Sequence, residues 1–253
     1  MSKRHVALVL AVSACVAGLG ESVKANEAVN QLSLEPIYAQ DSGGKPGMMG
    51  MLDKMGAGGM LEEAGIVVGG WVEGSLTYST SAPPENIITG RAFDFEHEDP
   101  TLNQAAIFIE RITDFATPWD IGFRIEGGYG ADYRFTHSNG MDFQVDTTED
   151  NQFDVTQAYA ELVVPIGTGL KVRVGKFITP LGWEYVNPTL NALYSHSYLF
   201  GLVPYSHTGV TGTYMVTEKL SLTLGFSRGW DQSLKDNNGD ALDVLGAIAY
   251  ELD

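Results

Sequence analysis

The 253-residue chain has a single cysteine, Cys15. One thiol can neither close an internal disulfide nor supply a paired-cysteine zinc site, so a disulfide scaffold, a structural zinc domain and a dithiol redox centre are excluded. Basic residues are also scarce, 15 Lys and Arg against 32 Asp and Glu, for a net charge of −17. A nucleic-acid partner is held by cationic groups that displace phosphate counterions, so none is expected here. No segment beyond the N-terminus has the roughly 20 consecutive apolar residues that a membrane-spanning helix requires. Hydrophobic residues nevertheless make up 44% of the chain and charged residues only 19%, which is too apolar for a disordered polypeptide. The length allows one large domain or two small ones, and what matters is where the apolar side chains face.

Residues 1–25 read as a secretory signal peptide. Lys3, Arg4 and His5 give a basic start, Val6 to Leu19 is apolar and small, and Ala25 offers a small residue at the cleavage point. Its removal leaves 12 basic and 31 acidic residues, a mature charge of −19. Val12-Ser13-Ala14-Cys15 also has the form of a lipobox, which would lipidate Cys15; against that, Val16 to Leu19 continues the apolar run. Residues 26–65 form a flexible or weakly helical Gly/Met-rich linker. Met48, Met49, Met51, Met55 and Met60 have no His or Cys beside them, so a soft-metal site for Cu(I) is the weaker reading.

From residue 66 the hydrophobic period is two. In Trp119 to Arg134, Ile121, Phe123, Ile125, Tyr129, Ala131 and Tyr133 alternate with Gly122, Arg124, Glu126, Gly128, Gly130 and Asp132. Leu220 to Ser227, Leu170 to Gly175, Gln157 to Val164 and Val68 to Tyr78 alternate in the same way, the pattern of strands with one apolar and one polar face. Weaker segments at Asn103 to Ile112, Thr208 to Val216 and Ala241 to Tyr250 bring the total to about eight strands. Their connections alternate long and short throughout. A soluble sandwich has no reason to put every long connection at one end, whereas an outer-membrane barrel has short periplasmic turns and long external loops. The expected fold is therefore all-β, an antiparallel transmembrane β-barrel over 66–253, with lipid as partner and every backbone group paired by closure. Trp71, Tyr78, Trp119, Tyr133, Tyr214, Trp230 and Tyr250 sit near strand ends, where interfacial girdles are expected.

An ordered series of short motifs spans this region. Gln157-Ala-Tyr-Ala-Glu161, Val164-Pro-Ile-Gly-Thr-Gly-Leu170, Val174-Gly-Lys-Phe-Ile-Thr-Pro-Leu-Gly-Trp-Glu184, Tyr194 to Phe200, Pro204 to Val210 and Leu224 to Asp231 together resemble the β-barrel porins of the OmpL-like type. The resemblance runs from about Gly69 to the C-terminus. It implies an outer-membrane barrel, a diffusion porin without catalytic residues or cofactor, and assigns no substrate. Members are usually longer and barrels tend to end on an aromatic residue, whereas this chain ends Tyr250-Glu-Leu-Asp253, so a fragment or early stop of a larger barrel is expected. An eight-stranded barrel is filled by its own side chains and a water channel needs more strands.

In the porin reading Glu73, Arg124, Glu126, Glu161, Lys171 and Arg173 are the pore-lining candidates. Opposed acids and bases across a narrow pore set up a transverse field that favours small polar solutes or ions; equally, they could pair as salt bridges inside a plugged barrel. Pro180 to His207 is the candidate for a loop folded into the pore, the alternative being an external loop. No catalytic, cofactor or metal site is expected. Ser195-His196-Ser197 and Ser206-His207-Thr208 put hydroxyls beside imidazoles, but neighbours along a strand point to opposite faces and make poor nucleophile–base pairs. Asp236 to Asp240 with Asp243 does not have the glycine and the glutamate of a calcium loop in their places. The acidic loops around Asp94 to Asp99 and Asp142 to Asp150 would gather divalent cations only loosely. A closed structural or adhesive barrel is the alternative function, and homo-oligomers follow by analogy alone.

Overall fold

The computed structural model describes residues 8–12, 47–80, 84–91, 93–141, 150–217, 219–235 and 241–250. The signal-peptide cleavage point, Cys15, the acidic cluster 142–149 and the Asp236 to Asp240 loop lie outside them. Strand β1 is Leu8–Val12, and two short helices follow, α1 (Gly47–Lys54) and α2 (Gly58–Glu63). Then come β2 (Ile66–Ser75), β3 (Thr101–Arg111), β4 (Ile121–Gly130), the single-turn helix α3 (Tyr133–Thr136), β5 (Gln152–Val164), β6 (Leu170–Ile178), β7 (Ser206–Met215), β8 (Leu220–Ser227) and β9 (Asp243–Tyr250). No helix among the described residues is long and apolar enough to cross a membrane.

Strands β2 to β9 form one antiparallel meander in which each strand pairs with its successor. They run from 8 to 13 residues, the range that a tilted strand of about 9–11 residues needs to cross hydrocarbon. Connections 76–100, 131–151, 179–205 and 228–242 lie at one end of the sheet, and 112–120, 165–169 and 216–219 at the other. The alternation read from the sequence holds at every step.

The sheet is inside out relative to a water-soluble domain. On β4, Ile121 and Ile125 are 63% and 54% exposed, while Arg124 between them is fully buried. Among the described residues 28 polar or charged side chains are buried, against 15 hydrophobic ones. Water would reward the opposite arrangement, since burial of apolar area is worth about 25 cal/mol per Å². The apolar outer face therefore fits hydrocarbon as its solvent.

Several expectations are corrected. No pairing joins β2 to β9 among the described residues, so the sheet is open along this seam. The edge of β9 is occupied by β1, in parallel from Leu8 opposite Val244 to Val12 opposite Ile248. The described part of the linker region takes the helical of its two expected forms: at β2 the buried Met49 of α1 accepts a hydrogen bond from the Val68 amide at 3.4 Å, and α1 and α2 pack beside the strand. The strand expected to reach Arg134 stops at Gly130, because the chain turns there and the amides of Ala131 and Asp132 donate back to the Leu102 and Asn103 carbonyls. Tyr133 is consequently buried rather than facing lipid, and Trp71 lies on the inner face, where its Nε1 donates to Gln104 Oε1 at 3.0 Å. Tyr78, Trp119, Trp230 and Tyr250 are exposed near strand ends.

Candidate pore interior and mouth

The inner face carries two groups of ion pairs. Arg124 on β4 reaches Glu110 on β3 and Glu126 two residues along its own strand, with Nε to Glu126 Oε2 at 3.1 Å. The pairing follows from the register, in which Glu110 lies opposite Arg124 and Glu126 opposite Gln157, whose amide also donates to Glu126 at 3.3 Å. The guanidinium lies 4.5 Å from the Phe108 ring centroid, a cation–π contact strengthened by burial. Thr156 adds a donor to Glu126 at 2.6 Å.

In the second group Glu161 on β5 lies opposite Arg173 on β6. It accepts from Arg173 Nε at 2.7 Å and Nη2 at 2.6 Å, from Thr113 at 3.1 Å, and has Lys171 Nζ at 3.6 Å. Arg173 stacks 4.2 Å from the Tyr159 ring, and Lys171 lies 4.9 Å from Phe115. Buried ions persist only when paired and hydrogen-bonded, and both clusters meet that condition. Towards the long-loop end Lys176 Nζ holds Asp154 at 3.4 Å and the Val155 carbonyl at 2.6 Å.

Of the six residues singled out in the sequence, Arg124, Glu126, Glu161, Lys171 and Arg173 thus fall into two interlocked clusters on one wall. Glu73 lies apart on β2, opposite Gln104. Sequence reasoning passed over Glu110, Asp154 and Lys176, although Glu110 alternates with apolar neighbours on β3 as the others do. The facing wall of β7 to β9 carries Thr211, Thr213, Ser221 and Thr223 together with His207, Met215 and Leu245. Between the walls a narrow cavity, partly open to solvent, has Glu161, Lys171 and Arg173 on one side and Thr211, Thr213 and Thr223 on the other.

At the long-loop end, segment 179–205 crosses from β6 to the far side of the sheet. The Val186 carbonyl accepts from Gln104 Nε2 on β3 at 2.7 Å, and the Tyr194 hydroxyl donates to Ser75 Oγ on β2 at 2.6 Å and accepts from Asn103 at 3.3 Å. Phe200 and Tyr205 of this segment pack on Phe93 from loop 76–100, with ring centroids 5.2 and 5.7 Å away, and Phe93 stacks on Phe135 of α3 at 5.3 Å. Three loops therefore meet in an aromatic cap over the mouth. Ser197 N donates to Glu184, and the His196 ring pairs with the same carboxylate at 2.9 Å. Burial pushes the Glu184 carboxyl up, but these hydrogen bonds and the His196 charge outweigh it and hold the group below the ordinary range. His207 meets hydroxyls of distant residues, Thr179 at 3.0 Å and Ser227 at 3.4 Å, rather than of its sequence neighbours.

The model of the family described as "Putative beta-barrel porin-2, OmpL-like" matches residues 65–253. No curated protein and no solved structure matches this chain.

Proposed function

Because the chain belongs to the OmpL-like β-barrel porin family, which implies the outer membrane, we propose that it lets small polar solutes or ions diffuse passively across that membrane. The observation that carries this reading is the inverted sheet, apolar outside and lined with ion pairs inside. A hydrated solute meets fixed opposite charges on the Glu161 side of the cavity and hydroxyls on the Thr211 side. Both can replace part of its water, while an apolar solute gains nothing there. The reading assigns no reaction to any residue. Export depends on residues 1–25 acting as a signal peptide.

A specific observation favours a second reading, a closed structural barrel. Arg124 and its two carboxylates are buried and paired with one another on one side of the interior rather than left to meet a solute. Single-channel recording of the refolded mature chain in a planar bilayer separates the two. Discrete current steps are expected for the diffusion pathway; a folded protein with no current would leave the closed barrel.

A further inference from the structure

We infer that Glu73 and Asp132, with the Tyr133 hydroxyl and Asn103 Oδ1, form a site for a partly hydrated alkali cation beneath the aromatic cap, and that this site makes the pathway prefer cations. The selectivity part rests on the diffusion reading above; the binding part does not.

The sign of the field follows from which charges are committed. The buried cations Arg124, Lys171, Arg173 and Lys176 each have a carboxylate at ion-pair distance. Glu73 and Asp132 have no basic side chain within that distance among the described residues. The nearest cations are engaged elsewhere, Arg134 with Glu96 at 2.8 Å and with Asp150, and His196 with Glu184. The mouth therefore holds two acidic side chains that no described cation pairs with, and the chain as a whole carries −17.

Gln104 brings the two carboxylates together. It lies opposite Glu73 in the β2–β3 register, and its Nε2 donates to Asp132 Oδ2 at 3.0 Å, while Asn103 Nδ2 donates to Asp132 Oδ1 at 3.1 Å. A second, independent observation marks a ligand. The Tyr133 hydroxyl and Asn103 Oδ1 are buried without a hydrogen-bond partner, on side chains 0% and 1% exposed. The Tyr133 hydroxyl lies over Gly128 on the inner face of β4, where a Cβ would collide with it. Buried polar oxygens are rarely left unsatisfied in a folded protein. Burial, and then the carboxylates of Glu126, Asp132, Asp154 and Glu73, push the Tyr133 pKa up; burial also raises Asp132. A cation bound among them would give these groups a shared partner.

Carboxylate, hydroxyl and amide oxygens are donors for hard cations. No three His, Cys, Asp or Glu side chains among the described residues converge as a chelating set. That argues for an alkali ion that keeps part of its water rather than a tightly held divalent metal. A site on a conduction path must also release what it binds.

The test is the reversal potential of the refolded full chain in a bilayer under a KCl gradient. Wild type is expected to pass K⁺ several-fold better than Cl⁻, and E73Q/D132N to fall close to the ratio in free solution. Should the double variant fail to shift with heat on a gel and so prove unfolded, E73Q alone is expected to lose part of the preference. A wild type without cation preference, or a folded variant with undiminished preference, overturns the inference. If wild type conducts nothing, the diffusion reading fails and the site is read separately from the sodium NMR line width of the micellar protein. Broadening that shrinks in E73Q supports the site, and equal broadening in both proteins overturns it.

Discussion

At the scale of single residues, Arg124 shows why the interior is built of linked charges. Its guanidinium neutralises Glu110 and Glu126 while lying on the Phe108 ring, and its own side chain is fully buried. Removing one partner of such a set leaves uncompensated charge, which destabilises by about 3–5 kcal/mol. Arg124→Met is therefore expected to lower the urea midpoint of the folded, heat-modifiable form by that order. The triple change R124M/E110Q/E126Q is expected to recover most of the loss, because no buried charge is then left without its counter-ion. A triple variant no more stable than R124M would show that the arginine acts through packing. The alternation of Arg124 and Glu126 with Ile121 and Ile125 was legible from period two alone. Their partners were not, because pairing with Glu110 depends on a strand register that no local pattern encodes.

Among the elements, segment 179–205 is the one that sequence describes least well. Its length and aromatic content suggested either a pore loop or an external loop. Long-range contacts settle where it runs, from Gln104 to the Val186 carbonyl and from Tyr194 to Ser75. Two of the aromatics at strand ends, Trp71 and Tyr133, misled for the same reason: a tyrosine such as Tyr133 has the same composition signal whether it faces lipid or tucks under a cap, and only the turn after Gly130 decides. Tyr194→Phe removes a hydroxyl bonded to Ser75 and Asn103, worth about 1 kcal/mol, and is expected to speed proteolysis of 179–205 without unfolding the sheet. The same segment has a pH dependence. The Glu184 carboxyl lies below its ordinary value in the folded state, so the stabilisation it gives is fully present above the unfolded pKa. It is lost as pH falls through the lower, folded value. Hydrogen exchange at Ser197, whose amide donates to Glu184, is expected to lose protection only on acidification below the ordinary glutamate value of 4.5. Glu184→Gln should abolish this dependence, and a transition at neutral pH would point to another group.

For the whole molecule the open seam is the decisive feature. The antiparallel meander puts β2 at one edge of the sheet and β9 at the other, where its partner on the outer side is β1, a strand within the expected signal peptide; β2 and β9 have directions that would pair antiparallel as every internal neighbour does. In water the edge amides of β2, and those of β9 where β1 does not cover them, can bond to solvent. In hydrocarbon each such group costs several kcal/mol, so a spanning sheet tolerates no open edge. The Met49 contact to Val68 covers one amide of β2 and leaves the remainder of that edge to be met in another way. If the sheet spans the bilayer, the edge amides of β2 and β9 become as protected as those of the central strands β5 and β6. Hydrogen exchange followed by mass spectrometry on the lipid-reconstituted mature chain reads this directly. Slow exchange across 66–75 and 243–250 is expected in lipid, faster exchange in urea. Rapid exchange at both edges in lipid, with the centre still protected, would mean that the apolar outer face is covered by something other than hydrocarbon.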